Sequence, residues 1–201
     1  MKKIFFAGLI ITIILSNIGG IVKDGKKLDQ LRGSVLRLHI LANSDTDYDQ
    51  NLKIKVRDTL LENSEQLFGS AESLSDAERT AQEKIPQITE IAEKVLRENG
   101  CNYTVKASVT DWDFDTRIYG DITMPSGNYK ALRIEIGEAK GHNWWCVMYP
   151  PLCLPAVCDV EDNKETEAVF FDSKELDIMK NPEKYEIRFA VWDKLKELFD
   201  K

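Results

Sequence analysis

Hydrophobic and polar positions change period several times along the chain, and each change marks an element. From Ser34 the residues read SVLRLHILANSD, where Val35, Leu36, Leu38, Ile40 and Leu41 form a short apolar run suited to a buried strand. The run ends at NSDTDYDQ, a cluster of turn and cap residues. Leu52, Val56 and Leu60 then recur at helical spacing, with Ile54 and Leu61 seven apart, which predicts a helix from about Tyr48 to Gln66. Its carboxylates crowd the start, where the helix dipole favours negative charge. Ser75 and Glu78 have capping-box spacing, and Ala77, Ala81, Ile85, Ile88, Ala92, Val95 and Leu96 trace the apolar face of a second helix ending at Asn99-Gly100. Pro86 lies inside that face and predicts a kink or a division there.

The period then shortens to two. Tyr103, Val105, Ala107 and Val109 alternate with Asn102, Thr104, Lys106 and Ser108, the signature of a half-buried strand. Phe114, Thr116, Ile118 and Ile122 suggest another, and PSGN at 125–128 is a turn before YKALRIEI. NWWCVMY is a further strand, stopped by Pro150-Pro151 because proline donates nothing to a sheet ladder. Residues 154–180 are acidic and weakly patterned, and read as a long loop with some local structure. Asn181 as a cap and Pro182 in the first turn open a terminal helix with Tyr185, Phe189, Trp192, Leu195 and Phe199 along one side. The order β-α-α-β-β-β-β-α predicts an α+β fold: a largely antiparallel sheet of about five strands, helices packed on one face and a C-terminal helix.

The N-terminus belongs to another class of segment. Lys2 and Lys3 precede an uncharged, mostly apolar run from Ile4 to Val22, which has no polar face to show water. Residues 1–27 therefore read as an export signal or an N-terminal membrane anchor, with membrane contact expected through residues 4–22. Residues 28–201 are long enough for a single extracytoplasmic α+β domain. After residue 27 the chain carries 22 basic against 33 acidic residues, a net −11. So acidic a body is repelled by phosphate backbones, which argues against nucleic-acid binding.

Export also changes how the cysteines read. In an oxidising compartment Cys146 and Cys153, flanking the Pro150-Pro151 turn, are candidates for a disulfide, while Cys101 and Cys158 pair or stay reduced. A zinc shell from His142, Cys146, Cys153 and Cys158 lacks any knuckle spacing. A Cys146–His142 thiol pair needs an electropositive pocket that an acidic body does not advertise. The run Asp45-Thr46-Asp47-Tyr48-Asp49 imitates the start of a calcium loop, yet Gln50 stands where the turn glycine belongs and Val56 where a glutamate closes the loop. His39, Ser44 and Asp45 are the residue types of a hydrolytic triad, but no G-x-S-x-G elbow surrounds the serine. No catalytic residue, metal site or cofactor is expected. Trp144 and Trp145 point to opposite faces of a strand, one toward the core and one toward solvent or a partner.

Two motifs carry a family resemblance. LRLHILANSDTDYDQNLKIKVRDTLL (36–61) and GHNWWCVMYPPLC (141–153), joined by GNYKALRIEIGEAKG (127–141), resemble stage II sporulation protein R of endospore-forming bacteria. The likeness runs from about Val35 to Cys153 and extends to the terminal YEIRFAVWDKL, with residues 154–180 matching least. It implies a signalling protein made in the forespore and exported into the space between the two membranes of the sporangium. There it would activate a membrane-embedded aspartic protease of the mother cell, which cleaves the proform of a sigma factor. The partner-binding candidates are then His39, Asn43, Ser44, Asp45 and Asp49 on one corner, and Trp144 and Trp145 on the other.

Overall fold

The first strand among the described residues lies inside the sheet. In a computed structural model describing residues 19–68, 71–150 and 170–199, β1 (Leu36–Leu41) is buried along its whole length. Its neighbours are β5 (Gly127–Ile136), which runs parallel to it, and β6 (Asn143–Tyr149), which runs antiparallel. The long strand β2 (Val105–Phe114) pairs antiparallel with β5, giving the order β2-β5-β1-β6. Among the described residues two of the three pairings in the main sheet are antiparallel, so the α+β expectation holds, with four strands described there and one parallel pairing that the sequence did not announce.

Alternation along β1 sorts the two faces. Leu36, Leu38 and Ile40 share a side with Leu132 and Ile134 of β5, all at 0–1% exposure. Helices α2 (Asp47–Glu62), α4 (Leu74–Glu83) and α5 (Ile85–Glu98) cover this side with Val56, Leu60, Ala77, Ala81, Ile88 and Ala92, and the short α3 (Ser64–Phe68) links α2 to α4. The opposite side carries Arg37 and His39, both fully buried, among aromatic rings.

Local chemistry explains the helix boundaries. The first helix breaks at Asn63, whose side-chain amide donates to the Thr59 carbonyl at 2.7 Å and ends α2 short of the expected Gln66. Ser73 rather than Ser75 caps α4, accepting from the Asp76 backbone N–H, because the residue that caps is the one still extended, at φ −147°. Pro86 does divide the second helix, starting α5 in its first turn while α4 ends at Glu83. Strand β2 itself runs on to Phe114, its more buried positions changing from odd to even residues after Val109, so the predicted second strand shrinks to a hairpin of β3 (Arg117–Tyr119) and β4 (Ile122–Met124).

The described residues divide into two compact units, the sheet with α2 to α5 being one. The other holds the β3–β4 hairpin, a helix α1 at 19–32, and two C-terminal helices, α6 (Ser173–Lys180) and α7 (Glu186–Phe199). Helix α6 lies in the stretch read from sequence as loop, started by a capping box between Asp172 and Glu175. Pro182 opens a 3-10 turn, Pro182–Lys184, instead of the terminal helix itself. Helices α1 and α7 run in the same direction, since Asp24 meets Arg188, Asp29 accepts from Trp192 Nε1 at 2.9 Å, and Arg32 grips Asp193 through two nitrogens at 2.8 and 3.0 Å. Gly25 makes their close approach possible: a Cβ there would stand 2.1 Å from the Trp192 ring. No described helix is long and apolar enough to cross a membrane. The export or anchor reading of residues 1–27 falls mostly on residues outside the described ones.

Candidate functional site

Where β1 runs into α2, the chain needs acceptors for loose N–H groups and finds them in its own polar cluster. Thr46 caps α2 by accepting from the Asp49 backbone N–H. The Asp49 carboxylate is nearly buried and takes hydrogen bonds from Asn43 Nδ2 at 2.8 Å and Ser44 Oγ at 2.5 Å. Burial alone would raise its pKa, but these donors, with Tyr103 and Thr46, hold it below the usual carboxylate range. Three of the sequence candidates, Asn43, Ser44 and Asp49, thus form one network.

The second motif arrives at the same place. The loop between β5 and β6 lies along this network: Glu138 N–H donates to Asn43 Oδ1, Lys140 N–H to the Asn43 carbonyl and Gly141 N–H to the Ala42 carbonyl. Gly137 has φ +58°, and a Cβ on it would stand 2.3 Å from Asn43 Oδ1; one on Gly141 would stand 2.1 Å from the Ser44 carbonyl. Asp45 Oδ1 accepts from both the backbone N–H of His142, at 2.6 Å, and its ring Nδ1, at 2.5 Å. These bonds hold the Asp45 carboxyl below its ordinary range. Buried Lys53 closes the arrangement, donating to the His142 carbonyl at 2.9 Å and to Gln50 Oε1 at 2.5 Å, while Gln50 Nε2 donates to the Ser44 carbonyl. Two motifs about a hundred residues apart therefore make one surface corner.

His39 is not part of that corner. It faces the aromatic side of the sheet, stacked on Trp145 with ring centres 4.0 Å apart and planes within 9°, with Trp112 and Phe114 beside it. Neither ring nitrogen meets a partner at hydrogen-bonding geometry, although Asn143 is near enough to favour the charged form. Burial, then the positive charge of Arg133, then that of Arg37, push its pKa down to about 4. Arg37 lies over Phe114 at 3.9 Å and Arg133 over Trp112 at 4.2 Å, so this face is a stack of cations and rings.

Trp144 and Trp145 do point to opposite faces, but neither is the solvent-facing ring expected. Both are half-buried: Arg57 of α2 lies over Trp144 at 4.1 Å, and His39 and Phe114 cover Trp145. The triad types do not assemble either, because Ser44 is bonded to Asp49, Asp45 to His142, and His39 sits in its ring stack. Among the described residues no three His, Cys, Asp or Glu side chains form a metal-holding group. Cys101 is a free, buried thiol and Cys146 is buried on β6; Cys153 and Cys158 lie outside the described residues, and with them the expected Cys146–Cys153 pairing. Sequence reasoning weighed His142 only for a zinc shell or a thiol pair and missed its bond to Asp45, and it missed Lys53, Gly137 and Gly141, whose partners His142, Asn43 and Ser44 are distant in the chain; Gln50, which reaches nearby Ser44 and Lys53, entered only as a departure from the calcium loop.

The family model of stage II sporulation protein R matches residues 32–159, which span β1 to β6 and both halves of the corner. The chain belongs to the stage II sporulation protein R family. A curated relative, stage II sporulation protein R of Bacillus subtilis (strain 168), is 34% identical over 189 residues, covering 86% of this chain and 84% of the relative. No solved structure matches. Family membership gives this chain a role in sporulation.

Proposed function

We propose that this stage II sporulation protein R family member is an exported signal that activates a membrane-embedded aspartic protease of the mother cell, which then cleaves a sigma-factor proform. It reaches the space between the two sporangial membranes from the forespore, carried there by its apolar N-terminus. The carrying observation is the corner: two family motifs spend their polar groups on fixing one exposed surface, with Asp45 and His142 at its rim and no free nucleophile inside it. A serine held by a carboxylate, a histidine sealed in a ring stack and a buried Cys146 favour a ligand over a hydrolase or thiol enzyme. Half-buried, covered tryptophans likewise offer little platform for cell-wall sugars.

Physically, a ligand activates by population shift. If the receptor protease visits its active arrangement rarely, a signal that binds that arrangement more tightly raises its population by the ratio of the two affinities. The test is coexpression of this chain with the receptor protease and the sigma-factor precursor in a non-sporulating host. Precursor cleavage should rise when the chain is present, and no rise would sink the proposal.

A further inference from the structure

Strand β2 stands at one end of the described sheet, and its outer edge is open. It pairs with β5 along all of Val105–Phe114 with no shift of register, and on its other side no described backbone group bonds to it. Outward N–H and C=O groups recur at every second residue of such a strand, so the edge is a template for another strand. Chains that stay single blunt an edge of this kind with a proline, a bulge or a row of lysines. Val105–Phe114 has no proline, no glycine and Lys106 as its one lysine.

Its side chains match a strand of the same sequence. In an antiparallel pair made by a two-fold axis perpendicular to the sheet, residues that face each other lie on one side of it, so their numbers differ by an even count. We propose that β2 binds β2 of a second copy in this way, centred on Val109. Lys106 then faces Trp112, Ser108 faces Thr110, and Val105 and Ala107 face Asp113 and Asp111, so residues 105–113 of both strands pair with no like charges opposed. Lys106 is exposed and has no ion-pair partner among the described residues, because Glu135 across from it is taken by Arg133 at 3.0 Å. An indole across the strand gives that cation a partner, as Trp112 already does for Arg133 at 4.2 Å. Neighbouring registers are poorer. Centring on Asp111 sets its two carboxylates against each other, and centring on Thr110 sends Lys106 to Phe114, which is buried with Arg37 already over its ring at 3.9 Å.

The test is sedimentation velocity of the full chain, in a non-ionic detergent that shields the apolar residues 4–22. The wild type should sediment with the mass of a dimer. Ser108→Glu with Thr110→Glu suits the single chain, since Ser108 is exposed, Thr110 half-buried and a glutamate at 108 stands across from Arg133. In the pair it sets carboxylate against carboxylate twice, and should weaken dimerisation by about tenfold or more with an unchanged circular dichroism spectrum. An equal mixture with a chain carrying Ser108→Lys and Thr110→Lys should restore the dimer. A wild type that sediments as a monomer overturns the inference and leaves the edge to a strand of another protein. A dimer that the glutamates do not weaken overturns it too, because the contact then lies elsewhere, and so does a loss that the lysine chain fails to rescue. None of these results bears on the coexpression assay, so the proposed function stands or falls separately.

Discussion

His39 is the residue whose environment departs furthest from its ordinary chemistry. Its pKa falls to about 4 in the folded chain from the ordinary 6.5, so between these values the unfolded chain binds the extra proton and the folded one does not. Stability is then fully present above about pH 6.5 and declines as pH falls toward 4, by about 3 kcal/mol from this group. Urea unfolding of the wild type and of His39→Phe across that range should show the slope in the first and a flatter curve in the second. Asp49 and Ser44 separate structure from chemistry. Asp49→Ala strips the acceptor from Asn43 and Ser44 at a nearly buried site and should cost about 2 kcal/mol or more, whereas Ser44→Ala removes one of several donors and should cost less than half that, by the same unfolding measurement. The candidates Asn43, Ser44, Asp45 and Asp49 were legible because turn and cap residues gathered in one short stretch. The Asp45–His142 bond was not, because 97 residues separate the two and no local period connects them.

Helices and strands were legible where one period ran undisturbed. NWWCVMY is β6, residue for residue, and Pro86 split its helix because its ring cannot follow the turn before it. Boundaries failed where a side chain competed with the backbone, as at Asn63, or where a short amphipathic helix stood in an acidic background, as with α6. The contact of α1 with α7 left no mark in either pattern, since what it needs is the absence of a side chain at Gly25. Gly25→Leu has to displace the Trp192 ring from its place beside Asp29, and should lower stability by about 1–3 kcal/mol. Tryptophan fluorescence of the variant should shift as the indole loses its fixed surroundings.

At the scale of the molecule, acid is the expected weakness. Arg188 and Lys174 hold nearly buried Asp24 below its ordinary pKa against the opposing effect of burial, and Lys27 holds Asp172 down, so both carboxylates add stability above about pH 4 that is lost as pH falls further. The proposed Cys146–Cys153 staple is checked by mass spectrometry of an unreduced digest, where a linked peptide pair is expected and free thiols at both positions would remove it. The α+β class was readable because element order alone sets it, but strand order was not: nothing in SVLRLHILANSD says that its neighbours are β5 and β6. That pairing has a consequence in time. Leu36 aligns with Lys130 and Tyr149, so the strand at the centre of the sheet is synthesised first and paired last. Sequence separation of this size slows folding. A chain exported as proposed therefore stays threadable until its last third has been made, and a fragment ending before Gly127 should remain protease-sensitive, because β1 would have no strand to join.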